Sequence, residues 1–422
     1  MQEVKMSNGR REDGETGIGC LSKARRRDAD DGSELHVFAD LTHHMIERIL
    51  LHLPVSSSIR LASVSKSWYS SVRSSSLMKF GVARTHPFLY LWGLHPRSLL
   101  TLACMYDPIL QRWFTLNLQN KMNPVFSPSC SLTSTRSGTL ILYPSGICSS
   151  DSVFLRFAPN PVNIDWSMSS AATNQFLFFP FVAALDSQRS PSSSFSSFVV
   201  FVLGELRNAH TVQLYDSATD SWEVCPSPMA MLGPFRFMGS FHVSSAVVGR
   251  KVYIVNIHTG VITYFNLGTK SWNPLRKLEG KHMQHFLLSS TGRGLYALGL
   301  YIADQTNECV KLLKVNEITM QYKEVSQMPE QLWSSLIDHF KKGTHPLLAF
   351  SYLRCTGSGN LIYVYSGSYF SKMRFCVCDI EDGYRWHQLP VLPADLEALE
   401  VRSECCSFQL MPEVCLKSRF VQ

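Results

Sequence analysis

The chain has 422 residues, of which 45% are hydrophobic and 17% charged, and its formal net charge is +7. This length predicts two or three domains with an ample apolar core. The positive excess is scattered rather than gathered into a basic stripe, which argues against a nucleic-acid partner. No apolar segment follows Met1 and no run of 18 apolar residues occurs, so we expect neither a signal peptide nor a membrane partner.

Residues 1–35 are polar, dense in charges of both signs and without apolar periodicity. This composition predicts a disordered N-terminal tail. The basic run at 23–27 has the composition of a nuclear import signal, but the aspartates that follow partly neutralise it. We therefore interpret it as a solvated charge run.

Residues 36–82 predict a small helical unit. Its first helix begins after Thr42, which can cap it, and ends before Pro54. A second apolar-periodic run, from Ile59 to Val72, follows three serines. The apolar residues of the first helix recur at helical spacing: Met45, Ile46, Ile49, Leu50 and Leu53. So short a unit cannot bury much apolar surface alone, and we expect it to complete its core against a partner.

The order of apolar positions in this unit resembles the F-box, over about a tenth of the chain. Its Leu-Pro pair and its Val-x-Lys-x-Trp ending carry the resemblance, whereas Thr42 and Ser65 stand where the family usually has Pro and Cys. The resemblance implies docking onto a Skp-family adaptor and, through it, a cullin. The residues expected to contact the adaptor are Leu41, Ile46, Ile49, Leu50, Leu53, Pro54, Leu61, Val64 and Trp68.

Residues 88–412 predict an all-β domain, because short apolar runs recur between Gly, Ser, Asn and Pro clusters. One pattern repeats: an Asp or Asn ends a strand, and an aromatic residue six positions later opens the next strand. An Asx side chain in this place starts a tight turn by bonding the backbone two residues on. The copies are Asp107 with Trp113, Asn160 with Trp166, Asp216 with Trp222, Asn266 with Trp272, Asn316 with Tyr322 and, one residue longer, Asp379 with Trp386.

Four short strands per period of about 50 residues are typical of a β-propeller blade. The pattern resembles the kelch repeat in the degenerate form of plant F-box/kelch proteins, with only partial stand-ins for the kelch double glycine, such as Gly292-x-Gly294. The resemblance implies a short N-terminal α-helical F-box followed by an all-β, six-bladed, kelch-type β-propeller. We expect the strand Cys405–Met411 to complete the first blade, and residues 413–422 to form a C-terminal tail.

Three segments interrupt or depart from this rhythm. Ser187–Ser197 is of low complexity and is expected to be a surface loop. Residues 330–342 have apolar residues at helical spacing, which predicts a helix packed on its own domain. Leu347–Leu353 is expected to be the first strand of the last blade.

No catalytic constellation stands out. There is no G-x-S-x-G, P-loop or H-E-x-x-H, and none of the twelve cysteines belongs to a C-x-x-C pair. His282 and His285 lie at an expected strand start, and Cys376 and Cys378 are expected to be a buried pair of reduced thiols. We expect no enzymatic activity, cofactor or metal.

Together the two resemblances imply the substrate-recognition subunit of a Skp–cullin–F-box ubiquitin ligase, working in the nucleus or the cytoplasm. The F-box would dock the adaptor, and the propeller would hold a protein substrate for ubiquitination and degradation. One alternative is an F-box/kelch scaffold that does not direct degradation. A remoter one is a propeller enzyme or lectin, which would need a polar, convergent pocket.

Overall fold

The structure is a computed structural model. The residues that it describes are 42–53, 57, 61, 64–72, 87–94, 101–116, 130–135, 139–144, 154–158, 167–172, 181–186, 197–206, 209–225, 243–278, 280, 282–304, 307–338, 346–366, 373–393 and 401–409. The predicted tails lie outside these ranges, as do Leu41, Pro54, Asn160, Trp166 and the segment 187–196. Within the described ranges, no helix is long and apolar enough to cross a membrane.

The N-terminal described part includes the short helices α1 (His43–His52) and α2 (Lys66–Val72), and Ser57 and Leu61 between them are also helical. α1 begins after Thr42, whose hydroxyl accepts a backbone N–H of the first turn at 3.4 Å, as predicted. The second apolar-periodic run, from Ile59 to Val72, is not one continuous helix. Val64 lies in a turn, and Ser65 starts α2 by accepting a backbone N–H of its first turn at 3.3 Å.

The described strands from residue 87 onward form six antiparallel sheets, numbered 1 to 6 along the chain. Sheets 1 and 2 contain β1 (Pro87–Leu94), β2 (Thr101–Asp107) and β3 (Arg112–Leu116), then β4 (Cys130–Ser134), β5 (Leu140–Pro144), β6 (Phe154–Ala158) and β7 (Ser167–Ala171). Sheet 3 contains β8 (Phe181–Asp186), β9 (Phe198–Leu206), β10 (Ala209–Asp216) and β11 (Ser221–Cys225).

Sheet 4 contains β12 (Val243–Val248), β13 (Lys251–Asn256), β14 (Val261–Asn266), β15 (Ser271–Trp272) and β16 (Arg276–Lys277), the last two both pairing with β14. Sheet 5 contains β17 (Met283–Thr291), β18 (Gly294–Asp304), β19 (Asn307–Val315) and β20 (Tyr322–Gln327). Sheet 6 contains β21 (Leu353–Ser358), β22 (Leu361–Ser366), β23 (Phe375–Asp379) and β24 (Arg385–Gln388).

The sheets are arranged as a closed propeller. The first strands of sheets 2 to 6 contact one another in order, from β4 through β8, β12 and β17 to β21. The ring closes through β25 (Val401–Gln409), which pairs with β1 and contacts both β21 and β4. The prediction that a C-terminal strand completes the first sheet is therefore confirmed, although the strand begins four residues before Cys405. Closure leaves β1 without an open edge.

Two elements lie between sheets 5 and 6. The predicted helix at 330–342 is present as α3 (Glu330–Ile337), and its Trp333 and Leu336 are buried against these sheets. The prediction of a strand at Leu347–Leu353 is wrong, because α4 (Pro346–Ser351) occupies it and the strand follows as β21. Proline is favoured in the first turn of a helix, where its missing N–H costs nothing.

Candidate functional site: the helical unit and the propeller faces

The two sides of α1 differ in exposure. Ile46 and Leu50 are buried, and α1 packs against α2. Met45 and Ile49, which are also four residues apart, are 50% and 38% exposed. Residues at this spacing share one side of a helix. One pair therefore forms the core of the helical unit, and the other forms an apolar strip on its surface.

The residues predicted to contact an adaptor differ in how exposed they are in the structure. Ile49 and Val64 are on the surface, with Val64 63% exposed. Leu53, Leu61 and Trp68 are partly buried, while Ile46 and Leu50 lie in the core of the unit. Leu41 and Pro54 lie outside the described residues. The accessible part of the predicted surface consists of Ile49 and Val64, to which the structure adds Met45.

The repeated Asp or Asn starts a tight turn in each of the five copies that the structure describes. Its Oδ1 atom accepts the backbone N–H of the residue two positions on. The accepting residues and distances are Asp107 2.9 Å, Asp216 2.9 Å, Asn266 2.8 Å, Asn316 2.9 Å and Asp379 2.9 Å. Each turn ends in a residue with positive φ: Gln111, Asp220, Lys270, Met320 and Tyr384. The five turns share one end of the propeller, which we name the Asx face.

Three of the repeated tryptophans join their sheet to the one before it in the ring. The indole N–H of Trp222 in sheet 3 donates to the carbonyl of Ser170 in sheet 2 at 2.9 Å. That of Trp386 in sheet 6 donates to the hydroxyl of Ser326 in sheet 5 at 3.0 Å. Trp113 in sheet 1 donates at 2.9 Å to the carbonyl of Pro390, which follows sheet 6. The same contact therefore also bridges the point where the ring closes.

A second aromatic repeat went unnoticed in the sequence. Tyr253, Tyr296 and Tyr363 are each the third residue of the second strand of a sheet, and all three are buried. The Tyr363 hydroxyl donates to the carbonyl of Pro87 in sheet 1 at 2.7 Å, so this tyrosine reaches the following sheet. The detectable signal is an aliphatic-Tyr pair at the second and third positions of these three strands, as in Leu295-Tyr296.

Three of the cavities that the described residues line open on the propeller. One of about 730 Å³ is lined by the first strands around the central axis. One of about 270 Å³ lies between sheets 3 and 4 at the Asx face. The third, of about 940 Å³, is at the opposite end, where His258 and His285 meet with Nδ1 and Nε2 3.0 Å apart. His258 and His285 are 27 residues apart in the sequence, so no local spacing indicates their contact.

Comparison with known proteins agrees with this architecture. The F-box domain family matches residues 38–80. The chain is similar to F-box/kelch-repeat protein At1g23390 of Arabidopsis thaliana, at 24% identity over 360 residues, covering 82% of this chain and 83% of that protein. The chain thus contains an F-box domain and is similar to an F-box/kelch-repeat protein over most of its length. A second relative, F-box/kelch-repeat protein At5g43190 of Arabidopsis thaliana, is 28% identical over 189 residues, covering 44% of this chain and 43% of the relative.

Among solved structures, TolB from Acinetobacter baumannii aligns with this chain at a TM-score of 0.44 and 7% identity, covering 81% of this chain and 73% of TolB. A similarity this weak carries no argument about the fold or the function of this chain.

The thiols of Cys355 and Cys378 are poor nucleophiles. Burial raises the pKa of Cys378 to about 12, and it raises that of Cys355 to about 12 as well. Both therefore remain protonated near neutral pH, whereas the thiolate is the reactive form. Among the described residues, no group of three or more His, Cys, Asp or Glu side chains could hold a metal ion.

Proposed function

We propose that this chain is an F-box/kelch-repeat protein and serves as the substrate-recognition subunit of a Skp–cullin–F-box ubiquitin ligase, acting in the nucleus or the cytoplasm. The observation that carries the proposal is the F-box at residues 38–80, joined in one chain to a closed β-propeller. F-boxes are a family of adaptor-binding modules. A β-propeller is a rigid scaffold that presents loops for recognition.

The F-box docks the adaptor through the apolar strip of Met45 and Ile49 together with Val64. These three side chains are exposed although they are apolar. Burying one such side chain fully is worth about 1.5–3 kcal/mol. Ile46 and Leu50 serve the same interface indirectly, because they hold α1 against α2.

The propeller is six-bladed and of kelch type. Six sheets in a closed ring, the recurring Asx turn with its aromatic residue, and the names of the homologues support this assignment. Its loops hold a protein substrate near the ubiquitin-transferring enzyme. The chain then contributes proximity rather than a catalytic acid or base, so it is not itself an enzyme.

The experiment compares protein half-lives in cells that express the wild-type chain or the Ile49→Asp/Val64→Asp variant. Candidate substrates are the proteins marked by proximity labelling from the propeller. We expect at least one of them to live longer with the variant, because a carboxylate buried in an apolar interface costs several kcal/mol.

The matched control is Val391→Asp, which places the same charge at an exposed apolar residue, 59% exposed, of the propeller. It should leave the half-lives as in the wild type. If every marked protein has the same half-life with the wild type and with the double variant, the chain is a scaffold that does not direct degradation.

A further inference from the structure

The pocket between sheets 3 and 4 has an apolar floor that is reached from the Asx face. Four aliphatic side chains form it: Leu185, Val199, Leu214 and Leu267. Three of them belong to the buried core between these sheets, and Val199 is partly buried. The volume of about 270 Å³ is below the range of about 300–1,000 Å³ that drug-sized ligands occupy. The pocket is therefore large enough for one side chain of a bound protein segment together with the residue next to it.

The rim of the pocket contains one cation whose charge is balanced. Lys270 of sheet 4 forms an ion pair with Glu223 of sheet 3 across the gap between the sheets. The hydrogen bond to Glu223, and also the field of Asp216, raise the pKa of Lys270. Since two carboxylates already face this ammonium group, Lys270 has little attraction left for a ligand anion.

Arg250 is the second cation on the rim, and its situation is different. It is exposed in the first hairpin turn of sheet 4, and its side chain lies over Gly268 in the neighbouring Asx turn. Among the described residues, no carboxylate pairs with Arg250. Arg293 occupies the corresponding turn of sheet 5 and donates to Glu381 at 2.8 Å. Arg250 is thus a cation that stands beside an apolar pocket and remains available to a ligand.

On this basis, and given the proposed role in substrate recognition, we propose that the pocket binds a protein segment in which an aliphatic residue stands next to Asp or Glu. The aliphatic side chain fills the floor over Leu214 and Leu267, and the carboxylate pairs with Arg250. A guanidinium group binds a carboxylate through a planar pair of hydrogen bonds, which fixes the direction of the segment. A lysine next to the aliphatic residue would be repelled.

The test uses the purified full chain without adaptor and an array of capped hexapeptides on a Gly/Ser background. The central pair of residues is Leu-Glu, Leu-Gln, Ala-Glu or Leu-Lys. We expect Leu-Glu to bind about tenfold more tightly than each of the other three. Arg250→Glu should reverse the preference, so that Leu-Lys binds more tightly than Leu-Glu.

Arg293→Glu makes the same charge change on the same face outside the pocket and should keep the preference for Leu-Glu. Each variant is first checked for an unchanged melting curve. The proposal is overturned if Leu-Gln binds as well as Leu-Glu, if both variants change the preference equally, or if no peptide binds. A preference for peptides with a free C-terminal carboxylate over capped ones also overturns it, because the ligand would then be a chain end.

Adaptor binding is measured separately with the Arg250→Glu variant, which should bind a Skp-family adaptor like the wild type. If no adaptor binds but the peptide preference and its reversal are found, the proposed ligase function fails while the pocket assignment stands. If the adaptor binds but the peptide preference is absent, the pocket assignment fails while the proposed ligase function stands.

Discussion

Gly357 in β21 marks a place where sheets 5 and 6 approach closely, and replacing it with alanine should destabilise the propeller. A Cβ atom there would lie 2.4 Å from the carbonyl oxygen of Ser290 and 2.5 Å from the hydroxyl oxygen of Ser289. Ordinary contact begins at 3.4 Å, so the two sheets would have to separate locally by about 1 Å. Overpacking of this kind costs about 1–3 kcal/mol.

The assay is thermal unfolding of the full chain followed by tryptophan fluorescence. In a domain of 150–250 residues, 1 kcal/mol corresponds to about 2–4 °C of melting temperature, so Gly357→Ala should lower it by several degrees. The control in the same strand is Ser358→Ala. The buried Ser358 hydroxyl has no hydrogen-bond partner among the described residues, so its removal should be neutral or slightly stabilising. If Gly357→Ala has the same melting temperature as the wild type, sheets 5 and 6 do not pack as described.

Three further predictions concern the ring and its core. Trp386→Phe removes the indole donor to Ser326 and should cost about 0.5–1.5 kcal/mol in urea unfolding, and an unchanged midpoint would contradict the role of this contact. Deleting residues 401–422 leaves the edge of β1 unpaired, so the protein should aggregate during size-exclusion chromatography, and a stable monomer would contradict closure by β25. Since burial raises the pKa of Cys378 to about 12, iodoacetamide at pH 8 should label it in urea but not in the native protein, as read by mass spectrometry. Equal labelling in both states would show that Cys378 is accessible.

The parts of the fold that depend on local spacing were predictable from the sequence. The Asx turn at Asp216 needs only its own loop, and the aromatic residue that follows begins the returning strand. Closure by β25 was predictable because a C-terminal strand had one sheet left to complete. In contrast, Gly357 lies inside β21, where the close approach of the neighbouring sheet requires a glycine. No local pattern can reveal that requirement.

The candidate site was predictable only in part, for the same physical reason. The helical spacing predicts that Met45 and Ile46 share one apolar side of α1, but consecutive helical residues point about 100° apart. The structure therefore exposes the first and buries the second. The availability of Arg250 depends on which charges the neighbouring sheets bring near it. Its equivalent Arg293 is paired, and the two turns look alike in the sequence.

The most direct test of the central claim is the affinity of the purified full chain for a recombinant Skp-family adaptor, measured by biolayer interferometry. The wild type and Val391→Asp should bind alike, and Ile49→Asp/Val64→Asp should bind at least about a hundredfold more weakly, because two carboxylates would be buried in an apolar interface. Melting curves establish that all three proteins are folded. Absence of binding by the wild type, or equal binding by the double variant, would contradict the account of the helical unit as an adaptor-docking F-box.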